Sequence, residues 1–296
     1  MKILFELAHT AEDYEILKAD HDFEIVAKGW DVRTRPKPEG IRFIEKPGEG
    51  YDVVMARSHS GFDLAVTVNR PIIYGVRNEN GQPKLEIALI EQCEAVVFTS
   101  TESILKAGLT GNRKAILIER GIDSEIFASY RNEGREVLTV SNSVVARADR
   151  GPDVLEQVGR TCELDLLGFG NEGSPHAIGP AKNMLDLACI YQSHRVYFNP
   201  CGVIGSAVLE AMATGMPVVT MRPTNYVDLM AAGVNCLIAN STLQAIDYIK
   251  MLLANYDLRA WMGANARKAV MYRFHPAIFR HKWNALLQNC HDRSKV

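Results

Sequence analysis

The stretch NPCGVIGSAVLEAMATGMPVVTM, residues 199–221, decides how this 296-residue chain is read. A short apolar strand, RVYFN, runs into a loop that holds Pro200, Gly202 and Gly205. The helix-forming run SAVLEAMATG follows, stops at Gly215, and Pro217 opens the next apolar strand. Such a turn leaves backbone N–H groups at a helix N-terminus, where the helix dipole favours an anion. That is the local chemistry of a phosphate or diphosphate site. Glu210, one to two turns into the helix, can accept hydrogen bonds from two vicinal hydroxyls, as on a ribose. Residue types alone support a second reading equally well: a structural strand–helix turn with a surface glutamate and Ser206 as helix cap.

Outward from this stretch, apolar strands and helical runs alternate. Candidate strands before it are KILFEL (2–7), FEIVAK (23–28), IRFIE (41–45), DVVMAR (52–57), PIIYGV (71–76), AVVFTS (95–100) and KAILIE (114–119). They continue with VLTVSN (137–142), ELDLLGFG (163–170), RVYFNP (195–200), PVVTM (217–221) and NCLIAN (235–240). Helices are expected at 84–93, 101–108, 151–160, 180–193, 205–214 and 241–255. This is the pattern of parallel sheets covered on both faces. The polar ASYRNEGRE (128–136) reads as a linker. The expected architecture is therefore α/β, with two doubly wound domains facing one cleft, at 1–132 and 133–274. After Tyr256 the chain reads as helices, with Leu258, Trp261, Met262 and Ala269 on one apolar face. Pro276 then breaks the pattern, and Ile278, Phe279, Trp283, Leu286 and Leu287 form a stripe that needs a further surface to cover.

Composition narrows the class. Hydrophobic residues at 47% and charged residues at 23% suit a folded globular chain, and a net charge of −2 argues against binding nucleic acid by bulk attraction. Six cysteines without a C-x-x-C pair read as reduced, small hydrophobes, and MKILFEL reads as a buried strand rather than a secretion signal. No run reaches the ~18–20 apolar residues of a membrane span, so the cytoplasm is the expected compartment. The chain has no Walker G-x-x-x-x-G-K-S/T and no G-x-S-x-G elbow. LLGFGNEG (166–173) offers glycines after a strand, but no helix follows at once, which disfavours a classical dinucleotide site. No metal-ligand set such as H-x-x-x-H or H-x-x-E-H is present, so no metal and no cofactor are expected.

The 199–221 run resembles the donor-site signature of retaining glycosyltransferases of the GT-B fold, the group 1 family. That family includes glycogen synthase-like, sucrose synthase-like and bacterial mannosyltransferase enzymes. LEAMATGMPVV (209–219) and Gly205 match its second half closely. In the family's order, four further runs are similar: ERGIDSEIF (119–127), VSNSVVARADRGPDVL (140–155), LLGFG (166–170) and YVDLMAAGVNCLIA (226–239). The resemblance implies two Rossmann-like domains and a terminal helix, 275–296, that crosses back to the N-terminal one. It also implies metal-independent transfer of a sugar from a nucleoside diphosphate sugar, a UDP-sugar, to a hydroxyl acceptor, with retention. Glycan, lipid head group, small molecule and modified DNA all remain open as acceptor.

Carried over residue by residue, Arg150 matches the family's lysine for the donor diphosphate, with Arg147 as a second cation. Gly202, Val203, Ile204, Gly205 and Ser206 supply N–H groups, Asn142 and Gly170 flank the nucleotide, and Glu210 holds the ribose. His59, in MARSHSGFD (55–63), and Arg77, where many relatives place a histidine, fall on the sugar side, and His9 follows the first strand. Gly202 stands where the family has its first glutamate, and LAHTAED (7–13) replaces a glycine-glycine loop. Two further readings follow. The Gly202 and Arg77 departures suit a catalytically silent nucleotide-sugar-binding protein. The basic segment 27–46 (Lys28, Arg33, Arg35, Lys37, Arg42, Lys46, around Trp30) suits a sugar transferase acting on modified DNA.

Overall fold

Seven parallel strands build the first sheet: β1 (Lys2–Glu6), β2 (Asp22–Val26), β3 (Arg42–Ile44), β4 (Val53–Ala56), β5 (Ile72–Gly75), β6 (Ala95–Phe98) and β7 (Ala115–Leu117). Their order, β3-β2-β1-β4-β5-β6-β7, reverses direction between β1 and β4. The structure, a computed structural model, describes residues 1–7, 13–27, 35–76 and 87–293. Strand residues alternate between two cores. Ile3, Phe5, Phe23, Ile25, Val53 and Met55 face one, and Leu4, Val54, Ala56, Ile72, Tyr74 and Val96 face the other. A sheet buried on both faces explains why these strands read as unbroken apolar runs. The helices α1 (His59–Val68), α2 (Ile87–Gln92) and α3 (Thr101–Lys106) connect them.

The second sheet repeats the plan with β8 (Arg135–Val140), β9 (Leu164–Leu167), β10 (Ala177–Gly179), β11 (His194–Asn199), β12 (Val218–Met221) and β13 (Leu237–Ala239). Its order is β10-β9-β8-β11-β12-β13, all parallel, reversing between β8 and β11. With it go α4 (Pro152–Gly159), α5 (Met184–Gln192), α6 (Ser206–Thr214), α7 (Thr242–Ala254) and α8 (Tyr256–Arg273), followed by α9 (Pro276–Arg293). Short polar side chains start several helices: Ser100, Asn183, Ser241 and Asn255 each accept the N–H three residues on. No helix among the described residues is long and apolar enough to cross a membrane.

The chain divides into Met1–Gly121 with Pro276–Val296, and Ile122–His275. The boundary thus lies before the polar stretch 128–136, which is no linker. Tyr130 donates from its N–H to the Thr214 carbonyl and from its hydroxyl to the Arg195 carbonyl. Asn132 bonds the buried Arg259, whose guanidinium also reaches the carbonyls of Leu252 and Leu253 at the end of α7. Polar residues with dedicated partners look like a linker in sequence and act as an anchor in the fold.

Helix α9 belongs to the first unit. Phe279, Trp283, Leu286, Leu287 and Cys290 enter the core formed by Ile3, Phe5 and Phe23, and Arg280 pairs with Glu15 at 2.7 Å. Ile278 falls off that stripe and is exposed. Trp261 is likewise half exposed, because α8 buries Met262, Gly263, Ala266 and Val270 instead. Gly263 sits against the Gly215 carbonyl, so a bulkier residue there would part α8 from α6. Helix α1 and strand β10 were not anticipated. The start of α1, HSG, carries no apolar period, and its N-terminus is set by Ser58, which accepts the Gly61 N–H.

Candidate functional site

Most of the residues assigned to a nucleotide lie in the second unit, at the C-terminal ends of β8, β9 and β11. The strand order reverses there, and doubly wound sheets bind ligands at such points. Beyond β8 the chain makes a single 3-10 turn, Ala148–Arg150, closed by Gly151 in the left-handed region at φ 69°. A Cβ on Gly151 would lie 2.6 Å from the Pro200 carbonyl oxygen. The arginine turn is therefore seated directly on the loop that follows β11.

Within that turn Arg147 grips Asp149 with both arms, Nε to Oδ1 at 3.1 Å and Nη2 to Oδ2 at 2.8 Å. Arg150 Nε lies 3.9 Å from the same Oδ2. The hydrogen bonds from Arg147, reinforced by both guanidinium charges, hold the Asp149 carboxyl below its ordinary pKa. Burial raises the pKa of the Tyr197 phenol, whose hydroxyl donates to the Val140 carbonyl at the end of β8.

The glycine loop is pinned from below. Gly202 has φ 68°, and a Cβ there would stand 2.2 Å from the Arg222 carbonyl oxygen. The Gly202 carbonyl accepts the Thr224 N–H. Ile204 is buried, and its N–H, expected to face a diphosphate, donates to Asn225 Oδ1 at 2.7 Å while Asn225 returns a bond to the Ile204 carbonyl at 2.9 Å. Ile204 thus leaves the set of candidate donors. The N–H groups of Val203, Gly205 and Ala207 meet no acceptor among the described residues. Gly205, not Ser206, is the cap residue of α6, with extended backbone and no side-chain bond.

Glu210 on α6 is 3% exposed, and the Tyr191 hydroxyl donates to its Oε2 at 3.1 Å. A carboxylate so held cannot swing, and it retains acceptor capacity beyond that one bond. Asn142 and Gly170 meet across two loops: Asn142 Oδ1 accepts the Phe169 N–H at 3.0 Å, and Gly170 packs against Ser143. Asn171, absent from the sequence reading, is the buried pin of this pair of loops. It accepts the Val144 N–H at 2.8 Å and donates to the Ser141 carbonyl at 2.7 Å. Buried asparagines such as Asn171 and Asn225 carry no pattern in a single sequence, since only their partners identify them. His176 lies against α4, 3.6 Å from Glu156.

His59 is the first residue of α1, in the first unit. Arg77 and His9 lie outside the described residues. At the ends of β1 and β4 stands a polar cluster that the sequence reading missed. Glu6 accepts the N–H groups of Arg57 and Ser58 at 2.6 and 2.9 Å, and buried Arg57 pairs with buried Asp13 at 3.2 Å. Of the basic segment, Arg42 is engaged by Asp22 and Glu24, Arg35 is buried, and Lys37 lies over the Phe43 ring. The Asp-x-Asp triplet Asp20-His21-Asp22 leads into β2, with Asp22 on Arg42. Among the described residues no group of three or more His, Cys, Asp or Glu is gathered as a metal cage.

The family model described as Glycosyl transferases group 1 matches residues 169–269, from the glycine turn after β9 into α8. The second unit carries a group 1 glycosyltransferase domain. The match takes in Gly170, Gly202–Ser206 and Glu210, while the arginine turn lies just before it. A search of the curated proteins gives no match. Among solved structures, HepE of Anabaena in complex with UDP-glucose superposes with a TM-score of 0.76 at 15% identity, covering 98% of this chain and 100% of that one. A glycosyltransferase from Rickettsia africae gives 0.72 at 15%, covering 98% of each chain. Sucrose-phosphate synthase from Thermosynechococcus elongatus gives 0.75 at 12%, again with 98% of each. These likenesses show the fold, the two-sheet GT-B architecture. The domain match and the shared fold thus agree: the matched part of the second unit resembles a glycosyltransferase domain, and the whole chain has the fold of these enzymes.

Proposed function

We propose that this protein moves a sugar from a nucleoside diphosphate sugar, a UDP-sugar, to a hydroxyl acceptor without a metal ion and with retention at the anomeric carbon. One observation carries the reading. The turn bearing Arg147 and Arg150 is seated on Pro200, beside the glycine loop and the open N-terminus of α6. Cleaving the bond from sugar to diphosphate leaves negative charge on the departing nucleotide. Fixed guanidiniums and the N–H groups of Val203, Gly205 and Ala207 are the donors that favour that charge. The same groups do the work that a bound cation would otherwise do, and the transfer needs no metal.

Glu210 is assigned to the ribose hydroxyls, its orientation held by Tyr191, and the Asn142 and Gly170 loops to the base side. HepE is described in complex with UDP and with UDP-glucose, which makes those two the first ligands to try. The test follows UDP release from UDP-glucose in the presence of a chelator, with the anomeric configuration of any transferred sugar read by NMR. Turnover with chelator and a retained anomer supports the proposal. Binding without turnover moves the protein to a nucleotide-sugar-binding role, and inversion removes the retaining assignment.

A further inference from the structure

Asp149 has no task in the transfer just described, yet it sits between the two arginines assigned to the diphosphate. Its carboxylate fills the Arg147 fork through two parallel bonds of 3.1 and 2.8 Å, and Arg150 Nε stands 3.9 Å from the same oxygen. A guanidinium carries five N–H donors on two planar edges, and the Nε–Nη2 edge of Arg147 that Asp149 occupies fits one carboxylate or one phosphate at a time. The turn is short and tied down: the Arg150 N–H bonds the Arg147 carbonyl, the Gly151 N–H bonds the Ala148 carbonyl, and Gly151 rests on Pro200. Phosphate oxygens that take this edge of Arg147 must displace Asp149, and the tied turn keeps the carboxylate within reach to return.

We infer that Asp149 is a positioning residue that acts through Arg147 and Arg150: a built-in stand-in for the donor diphosphate, which holds the guanidiniums when the site is empty and returns to them when the nucleoside diphosphate leaves. The inference rests on the diphosphate assignment above. It adds that the site is tuned for release. The carboxylate lowers affinity for every diphosphate ligand and leaves affinity for the nucleoside untouched. Its depressed pKa keeps it ionised, and so competing, throughout the neutral range.

The experiment titrates UDP, inorganic pyrophosphate and uridine into the wild-type protein and Asp149→Asn by calorimetry, at low and at high salt. Asparagine keeps the shape and removes the charge, and Asp149→Ser serves as a second variant. An exposed ion pair is worth at most a few-fold in a binding constant. UDP and pyrophosphate should accordingly bind about three- to fivefold tighter to both variants at low salt. The gain should shrink at high salt, and uridine should bind unchanged. Equal or weaker UDP and pyrophosphate binding in variants that melt like the wild type overturns the inference, since Asp149 would then only shape the turn. A parallel gain for uridine overturns it too. If the wild type binds neither UDP nor pyrophosphate, it is the diphosphate assignment itself that fails.

Discussion

Replacing Gly202 tests why this chain lacks a glutamate eight positions before Glu210. The residue has φ 68°, and an added Cβ would lie 2.2 Å from the Arg222 carbonyl oxygen, a backbone atom at the end of β12. An L-residue in the left-handed region costs about 1–2 kcal/mol. Relieving the overlap means moving the loop or the strand end by roughly 1 Å, and overpacking of that kind costs about 1–3 kcal/mol. Gly202→Ala should therefore lose about 2–5 kcal/mol, and Gly202→Glu no less. For a unit of this size that is roughly 5–15 °C in the melting of the second unit. Circular dichroism with temperature and urea reads it, with UDP titration alongside. Gly202→Glu melting like the wild type would refute the reasoning, because the missing glutamate would then not follow from the backbone.

Further outcomes follow from the same geometry. Arg150→Ala should weaken UDP about ten- to a hundredfold and uridine hardly at all, as for loss of a charged hydrogen bond worth about 1.5–3 kcal/mol, and Arg150→Lys should be milder; calorimetry with both ligands decides it. Trp283→Ala should destabilise the first unit by about 3–5 kcal/mol, since the indole is 2% exposed in the core with Ile3 and Phe5; urea unfolding that leaves this unit's midpoint unchanged would remove α9 from that core. Glu24 accepts from the Tyr51 hydroxyl, and chiefly for that reason its pKa lies below the ordinary carboxylate value. Its stabilisation is present above the unfolded pKa and is lost as pH falls through the lower folded one. Tyr51→Phe should therefore melt lower than the wild type at neutral pH and approach it in acid, as a melting series from pH 7 to pH 2 would show.

The strands were legible because a sheet covered on both faces demands unbroken apolar runs, and the sheet alternation Ile3/Leu4/Phe5 then follows from the pleat. Loop chemistry was legible only where glycine marks it. Gly202 and Gly205 announced the turn, but nothing in VIG tells that Ile204 is buried with its amide on Asn225, twenty-one residues on. The stretch 128–136 misled for the converse reason: Tyr130, Asn132 and Arg259 are polar by type and partnered by fold. Helix α9 was half legible. Phe279, Trp283, Leu286 and Leu287 gave its buried face, while Ile278 lies outside it and Cys290 inside. Asp149 was passed over because a surface aspartate between two arginines is ordinary in sequence and significant only once the fork geometry is seen.

The proposed transfer requires that the arginine turn and the glycine loop together bind a diphosphate. A crystal structure of the protein soaked or grown with UDP tests it most directly. Phosphate oxygens are expected within hydrogen-bond distance of Arg150 and of the N–H groups of Val203 or Gly205, with Asp149 no longer on the Arg147 fork. UDP bound with its diphosphate away from both Arg150 and the 202–206 loop would contradict it.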